Sequence, residues 1–507
     1  MKIVYLGAGS FRFSYGLFRN LCAAGEVIPL EVWLVDVDSP LLEVMRGFLT
    51  RQARKYHVPL SIHATPDRRE ALPGADVVYK SISIGQQDSE WYDVHVPQKF
   101  GIPQNTGDTV GPGGLFRALR VVPVVEEIVR DVEELCPDAL LLNYTNPQAP
   151  IVLGAKNTAP RVQTVGLCHE LFGGMRTVVK LLREALRREG TPELAKKLPH
   201  WEDLLPRYAG VNHFTWLLSF AGKDARVDLY DVLRRHASEG GKLAGRPFNF
   251  HLLERYGLFP LPGSRHVAEF LPEYYNYFNH LEAAKLWGMP KLRNVAMLRR
   301  ARKLAIWGYR QVAKGRLRPP KPSVRGERAI EMTVDWLESK AGTRVASPRE
   351  HVVNVLNEGG AVVPSLPDGC VVEVPSTFVD GRVVPTSPGP LPAEVRDLVA
   401  VHAKNTALFV DAATSGDPDK LLKAMLADPM CQFVEDDDAV EDMTWNLLHY
   451  EARWLPRFAE SVPTRQDLEK LKHHVTPRDL AGRRAKAVKW PPRPELASKA
   501  YREPSAP

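Results

Sequence analysis

Lys2-Ile3-Val4-Tyr5-Leu6-Gly7-Ala8-Gly9-Ser10 opens the chain and decides its fold. The first five residues are an apolar, β-branched run of buried-strand length, and the glycines follow without a spacer. Glycines in that place let the backbone turn tightly and come close to a pyrophosphate. The free N–H groups of a helix expected over about Tyr15 to Ala23 then attract the pyrophosphate charge. A second predicted strand, Glu31-Val32-Trp33-Leu34-Val35-Asp36, ends in a carboxylate placed to accept hydrogen bonds from a ribose diol. That ending favours NAD over NADP, because a 2′-phosphate would be repelled. Gly7, Gly9, Ser10, the adjoining Phe11 and Arg12, and Asp36 are therefore the candidate cofactor contacts. Arg12 stands where the third glycine of the dinucleotide fingerprint is expected, so the reading rests on strand, turn, helix and acid-ended strand together.

Outward from this start, Ala75-Asp76-Val77-Val78-Tyr79-Lys80-Ser81-Ile82 and Ala139-Leu140-Leu141-Leu142-Asn143-Tyr144 read as buried strands, with a helix from about Leu115 to Leu135 between them. Strands alternating with helices imply an α/β fold, a Rossmann-like parallel sheet with right-handed crossovers. Ligands of such sheets bind beyond the strand C-termini. Three informative segments fall there: Gly107 to Gly114, Asn143-Tyr144-Thr145-Asn146-Pro147, and Leu167-Cys168-His169. After about residue 200 the alternation fades into helices, with a β segment expected at Cys370 to Pro375. The division expected is 1–200 for nucleotide binding, 201–475 for a mixed α+β domain with substrate, metal and oligomer contacts, and 476–507 for a basic, loosely held tail.

The composition, 44% hydrophobic and 25% charged, is that of a globular protein. The net charge of +7 is spread over stretches such as Arg299-Arg300-Ala301-Arg302-Lys303 and the tail. No aromatic-and-basic RNA motif or zinc-finger spacing accompanies it, so solvated helix faces are expected rather than a nucleic-acid partner. Five scattered cysteines argue against a disulfide framework and for a reducing, cytoplasmic compartment. No signal peptide and no membrane span are expected.

Cys168 and His213 are the candidate metal ligands, a thiolate and an imidazole from separate segments that leave positions open for water and substrate oxygens. Manganese prefers oxygen, so a thiolate is an unusual partner for it. A lone cysteine is also commonly a buried, inert thiol, and His213 has two other readings: a hydrogen-bonded core histidine, or the base of a 2-hydroxy-acid dehydrogenase.

Taken in order, Gly7-Ala8-Gly9-Ser10, Gly111-Pro112-Gly113-Gly114, Asn143-Tyr144-Thr145-Asn146-Pro147, Gly166-Leu167-Cys168-His169, Gly210-Val211-Asn212-His213-Phe214-Thr215-Trp216, and Leu366-Pro367 with Val372-Glu373-Val374-Pro375 resemble glycoside hydrolase family 4 over roughly residues 1 to 430. The resemblance implies a lactate/malate-dehydrogenase type of fold, NAD and a divalent metal (usually manganese) as cofactors, and a homodimer or homotetramer. The family is a named exception to the two-carboxylate rule of glycosidases, and the mechanism is implied by resemblance. NAD oxidises the sugar at C3, a base takes the C2 proton, the C1 leaving group is eliminated, water adds, and C3 is reduced again.

The resemblance further implies that Asn146 and Asn212 contact the sugar, that Asp108 holds a hydroxyl or assists proton transfer, and that His169 protonates the leaving oxygen of an α-linked substrate. Each has a plainer alternative: a turn asparagine, a solvated loop aspartate, a supporting histidine. The chain departs from the family pattern twice. Phosphosugar-cleaving members carry an arginine where this chain reads Ile82-Ser83-Ile84-Gly85, so a non-phosphorylated glycoside is expected. The family's tyrosine base falls at Phe270, which cannot ionise; Tyr274, Tyr275 or Tyr277, Tyr274 first, or a metal-bound hydroxide are the substitutes, with ordinary aromatic packing the alternative for the tyrosines. Phe270 in that place suggests a divergent branch of the family acting on α-galactosides, α-glucosides or uronic acid glycosides, and the expected function is an NAD- and metal-dependent glycosidase. A hydroxy-acid or sugar dehydrogenase and an inactive NAD-binding regulator are the alternatives.

Overall fold

The computed structural model describes residues 1–25, 30–190, 193, 204–222, 229–238, 247–275, 285–289, 292–323, 328–342, 349–434 and 437–481. The opening run forms β1 (Lys2–Leu6), and the predicted helix after the glycine turn is α1 (Phe13–Gly25). There follow β2 (Leu30–Val35), α2 (Ser39–Lys55), β3 (Leu60–Thr65), α3 (Arg68–Ala71), β4 (Val77–Lys80), α4 (Gln86–Lys99), α5 (Gly111–Leu135), β5 (Leu140–Asn143), α6 (Gln148–Thr158), β6 (Gln163–Gly166) and α7 (Glu170–Arg188). β1 pairs in parallel with both β2 and β4, giving the order β6-β5-β4-β1-β2-β3. The two halves of the sheet are wound in opposite directions from β1, so the crevice for a dinucleotide lies above the β1/β4 pair. The strands are buried on both faces, by Phe18, Met45 and Phe48 on one side and by Val121, Val125 and Ile151 on the other, which is why β1, β4 and β5 read as continuous apolar runs.

A separate three-stranded antiparallel sheet holds β7 (Leu204–Val211), β8 (Phe214–Gly222) and the short β9 (Phe259–Pro260). The chain then returns to the first sheet. β10 (His351–Leu356), β11 (Val371–Val379) and β12 (Arg382–Pro385) add antiparallel strands beyond β6, with Asn354 opposite Gly166. The β segment expected near Cys370 is thus β11. It belongs to the nine-stranded sheet, so the division drawn near residue 200 does not separate two sheets. At the other boundary, Pro477–Ala481 forms a helix whose Leu480 is buried among α4, α5 and Asp437–Glu451, so the packed chain extends past Thr476. The rest of the basic tail, 482–507, lies outside the described residues. Among the described residues no helix is long and apolar enough to cross a membrane.

Candidate active site

The glycine turn wraps the first of two adjoining cavities, of about 510 Å³, lined by Gly7, Gly9, Ser10, Phe11, Arg12 and Asp36 among others. All six cofactor candidates are thus brought together. Gly7 sits at φ +85°, and a Cβ there would run into the Ser81 carbonyl, so only glycine lets β1 turn this close to β4. Asp36 accepts from the Gly9 N–H at 2.8 Å and the Asp38 N–H at 3.0 Å, which fixes its carboxylate at the cavity wall. The turn, the helix behind it and the acid-ended strand fit a dinucleotide.

The second cavity, of about 850 Å³, shares Arg12, Phe13, Asp108, Tyr144 and Asn146 with the first. It also receives His169, Glu170, Arg176, His213, Arg265, His266 and Arg293. Asn146, in the turn after β5, stands at the junction. Asp108, His213 and His266 are all buried, and one ligand atom from each lies within 4.8 Å of the others. His213 occupies the β7–β8 turn at φ +67°, a conformation costly for a residue with a Cβ and held here by the hairpin.

Thr109 fixes the tautomer of His213. Its hydroxyl donates to Asp108 Oδ1 at 2.8 Å and lies 2.8 Å from His213 Nδ1. A hydroxyl has one proton, so with that proton on Asp108 it accepts from Nδ1–H, and His213 Nε2 keeps its lone pair. Burial foremost, then the neighbouring His266, takes His213 down to about 3, and burial takes His266 down to about 4, so both imidazoles are neutral near pH 7. Burial works to raise the Asp108 carboxyl, but the nearby guanidinium groups, Arg293 foremost and then Arg117, help hold Asp108 below the usual range. An ionised carboxylate and two neutral imidazoles form a donor set that fits a divalent cation.

The loop bearing Asp108 is anchored from behind. Glu269 accepts the N–H groups of Thr106 at 2.8 Å and Gly107 at 3.0 Å, and Arg293 joins Glu90, Asp108 and the Thr106 carbonyl. Burial raises Glu269 to about 7 in spite of those donors.

Other sequence candidates are placed differently. Cys168 is buried before α7 and is not one of the three clustered side chains. Burial, then Glu373 and Glu170, push its thiol well up, against the Asn212 side chain that bonds it. Asn212 does not line the cavity; it donates to Glu373 at 3.0 Å and so supports the β7–β8 turn. His169 is open to the cavity, with Nε2 3.6 Å from Glu170 Oε1. Tyr274 is not at the cavity. It is buried in an aromatic cluster with Phe248, His251 and Trp287, because the 272–275 helix turns its aromatic face to the core. Tyr277 and the side chain of Tyr275 lie outside the described residues. Phe270 also points inward, stacked on Phe214 at 4.9 Å, so this chain has an apolar core ring where the family's base is expected.

His266, Glu170, Arg176, Arg265 and Arg293 were not legible as site residues. His266 is 53 positions beyond His213, and its only local signal is the Pro262-Gly263 turn that begins the helix Ser264–Glu269.

Residues 2–184 match the model described as Family 4 glycosyl hydrolase, and residues 208–431 match its C-terminal domain. An alpha-galacturonidase of Thermoanaerobacter italicus is 31% identical over 90% of this chain and 98% of its own. An alpha-galactosidase of Bacillus subtilis is 28% identical over 90% and 99%. A putative glucosidase of Bacillus subtilis has a similar crystal structure, with a TM-score of 0.75 at 28% identity over 88% of this chain and 99% of that one. A 6-phospho-alpha-glucosidase from gut microorganisms, in complex with NAD and Mn²⁺, shares the fold at a TM-score of 0.72 and 20% identity, over 90% and 99%. The two family models cover most of the chain, and a relative 31% identical matches 90% of it: the chain belongs to the family 4 glycosyl hydrolases and is a glycosidase.

Proposed function

We propose that this glycosidase cleaves a non-phosphorylated, α-linked glycoside by NAD-dependent oxidation at C3, elimination of the C1 substituent and addition of water. The observation that carries the reading is the junction of the two cavities. The cofactor-shaped cavity opens onto the Asp108, His213 and His266 cluster across Arg12, Tyr144 and Asn146. When bound, NAD accepts and returns the C3 hydride, and a divalent cation polarises the neighbouring sugar oxygens.

The chain's own residues supply the rest. Gly7, Gly9 and Ser10 give the pyrophosphate a backbone cradle, and Asp36 takes the ribose diol. Asp108, His213 and His266 would hold the cation, with Thr109 keeping His213 Nε2 free for it. Asn146 orients the sugar hydroxyls at the junction. His169 Nε2, 3.6 Å from Glu170 Oε1, delivers a proton to the leaving oxygen. Tyr274 packs away from the cavity and its three histidines have other roles, so removal of the C2 proton falls to Glu170, the remaining carboxylate that lines it.

The relatives named alpha-galacturonidase and alpha-galactosidase support a non-phosphorylated α-glycoside. So does the Ile82-Ser83-Ile84-Gly85 segment, which resembles one that carries an arginine in phosphosugar-cleaving members of the family. The test is nitrophenol release from p-nitrophenyl α-glycosides with NAD⁺ and Mn²⁺, each omitted in turn. Release that needs both, with no net NADH, is expected. Stoichiometric NADH without release would make the protein a dehydrogenase instead.

A further inference from the structure

The second cavity holds more positive charge than its acids compensate. Arg293 is committed to Glu90 and Asp108. Glu170 is committed to the Gly263 N–H at 2.8 Å and lies between His169 and His266. Arg176 and Arg265 line the same cavity, both are exposed to it, and neither has an acidic partner among the described residues.

Their joint placement follows from how α7 is fastened. His169, Phe172 and Arg176 are spaced three and four apart, so they share the face of α7 that meets the cavity. Gly174 lies on the other side, where a Cβ would run into the Leu261 backbone, so α7 presses directly on the 261–266 segment. Glu170, through Gly263, ties the same two segments together one turn earlier. Arg176 from one and Arg265 from the other are thereby held over one cavity. A neutral hexoside needs donors and acceptors but no net negative charge, whereas two uncompensated guanidinium groups suit a planar anion that each can grip with paired N–H groups.

We infer that Arg176 and Arg265 select a sugar bearing a carboxylate, making the substrate an α-linked uronide whose C6 carboxylate these two residues hold. This rests on the glycosidase reading above and assigns the residues that set its substrate class.

Binding of the released sugar separates the two claims, because it does not require turnover. The full chain, loaded with NAD⁺ and Mn²⁺, is titrated calorimetrically with D-galacturonate, D-galactose and D-galactose 6-phosphate. Galacturonate is expected to bind at least about tenfold more tightly than galactose, and Arg176→Gln and Arg265→Gln each to weaken it by about 10- to 100-fold, narrowing that gap. Arg265→Lys should keep part of the preference, since it keeps the charge and loses the fork. Equal binding of galacturonate and galactose, a galacturonate affinity untouched in both glutamine variants, or tighter binding of the 6-phosphate would overturn the inference. If galacturonate binds as expected but no α-glycoside is cleaved, the carboxylate site stands and the catalytic reading falls.

Discussion

Lys80 ends β4 wholly buried, opposite Leu6 and Asn143, and its ammonium has no hydrogen-bond partner among the described residues. Burial alone lowers it from the ordinary 10.5 to about 7. At roughly 1.4 kcal/mol per pH unit, that makes the folded state less stable by up to about 5 kcal/mol wherever the ammonium must stay charged. The sign follows from the protons held. Between pH 7 and 10.5 the unfolded chain keeps a proton that the folded chain has released, so stability from this group rises with pH. Below 7 both states are protonated and the deficit is constant. Lys80→Met keeps the length of the side chain and removes the charge. The variant should be more stable than the parent at pH 7 by several kcal/mol, on the order of 3–5, and that advantage should shrink by about 1.4 kcal/mol per pH unit up to pH 10. Urea denaturation of both proteins at pH 7, 8, 9 and 10 reads the difference directly. A variant less stable than the parent, or a gap independent of pH, would refute the picture of an uncompensated ammonium inside the sheet.

Three further outcomes follow from the geometry. Asp36→Ala should weaken NAD⁺ binding by roughly 10- to 100-fold and narrow the preference over NADP⁺, read by fluorescence quenching; unchanged binding would remove Asp36 from the cofactor cavity. His266→Gln and Asp108→Asn should each lower Mn²⁺ affinity at least about tenfold, measured from free Mn²⁺ by electron paramagnetic resonance; an affinity equal to the parent's would place the cation elsewhere. Gly174→Ala should cost about 1–3 kcal/mol in denaturant unfolding, because its Cβ meets the Leu261 backbone rather than a side chain that can move; a neutral substitution would contradict the close approach of α7.

The parts legible in sequence are those written in consecutive residues. Lys2 to Ser10 and Glu31 to Asp36 carry their strand, turn and acid in single local runs, so residues that line the first cavity could be picked out one by one. The partnership of β10 and β11 with β6 was not, because a strand's alternation says which face is buried and not which strand lies beside it. The second cavity is harder for the same reason. Asp108, Arg176, His213, Arg265, His266 and Arg293 come from five separate segments, and only the approach of α7 to the 261–266 segment and the Arg293 anchor bring them together. Tyr274 shows the converse error. A tyrosine near the expected position of a base carries the right chemistry, but the Pro272–Tyr275 turn directs it into the aromatic core, and sequence proximity does not report direction. Asn212 likewise adjoins a site residue while serving the buried Glu373.

Cleavage that passes through removal of the C2 proton leaves a mark that simple hydrolysis cannot. Hydrolysis of p-nitrophenyl α-D-galacturonide in D₂O with NAD⁺ and Mn²⁺, followed by proton NMR of the released sugar, is the most direct test. Deuterium at C2 of the product is the result expected from oxidation, elimination and addition, whereas a product that keeps its C2 proton in full would contradict that mechanism.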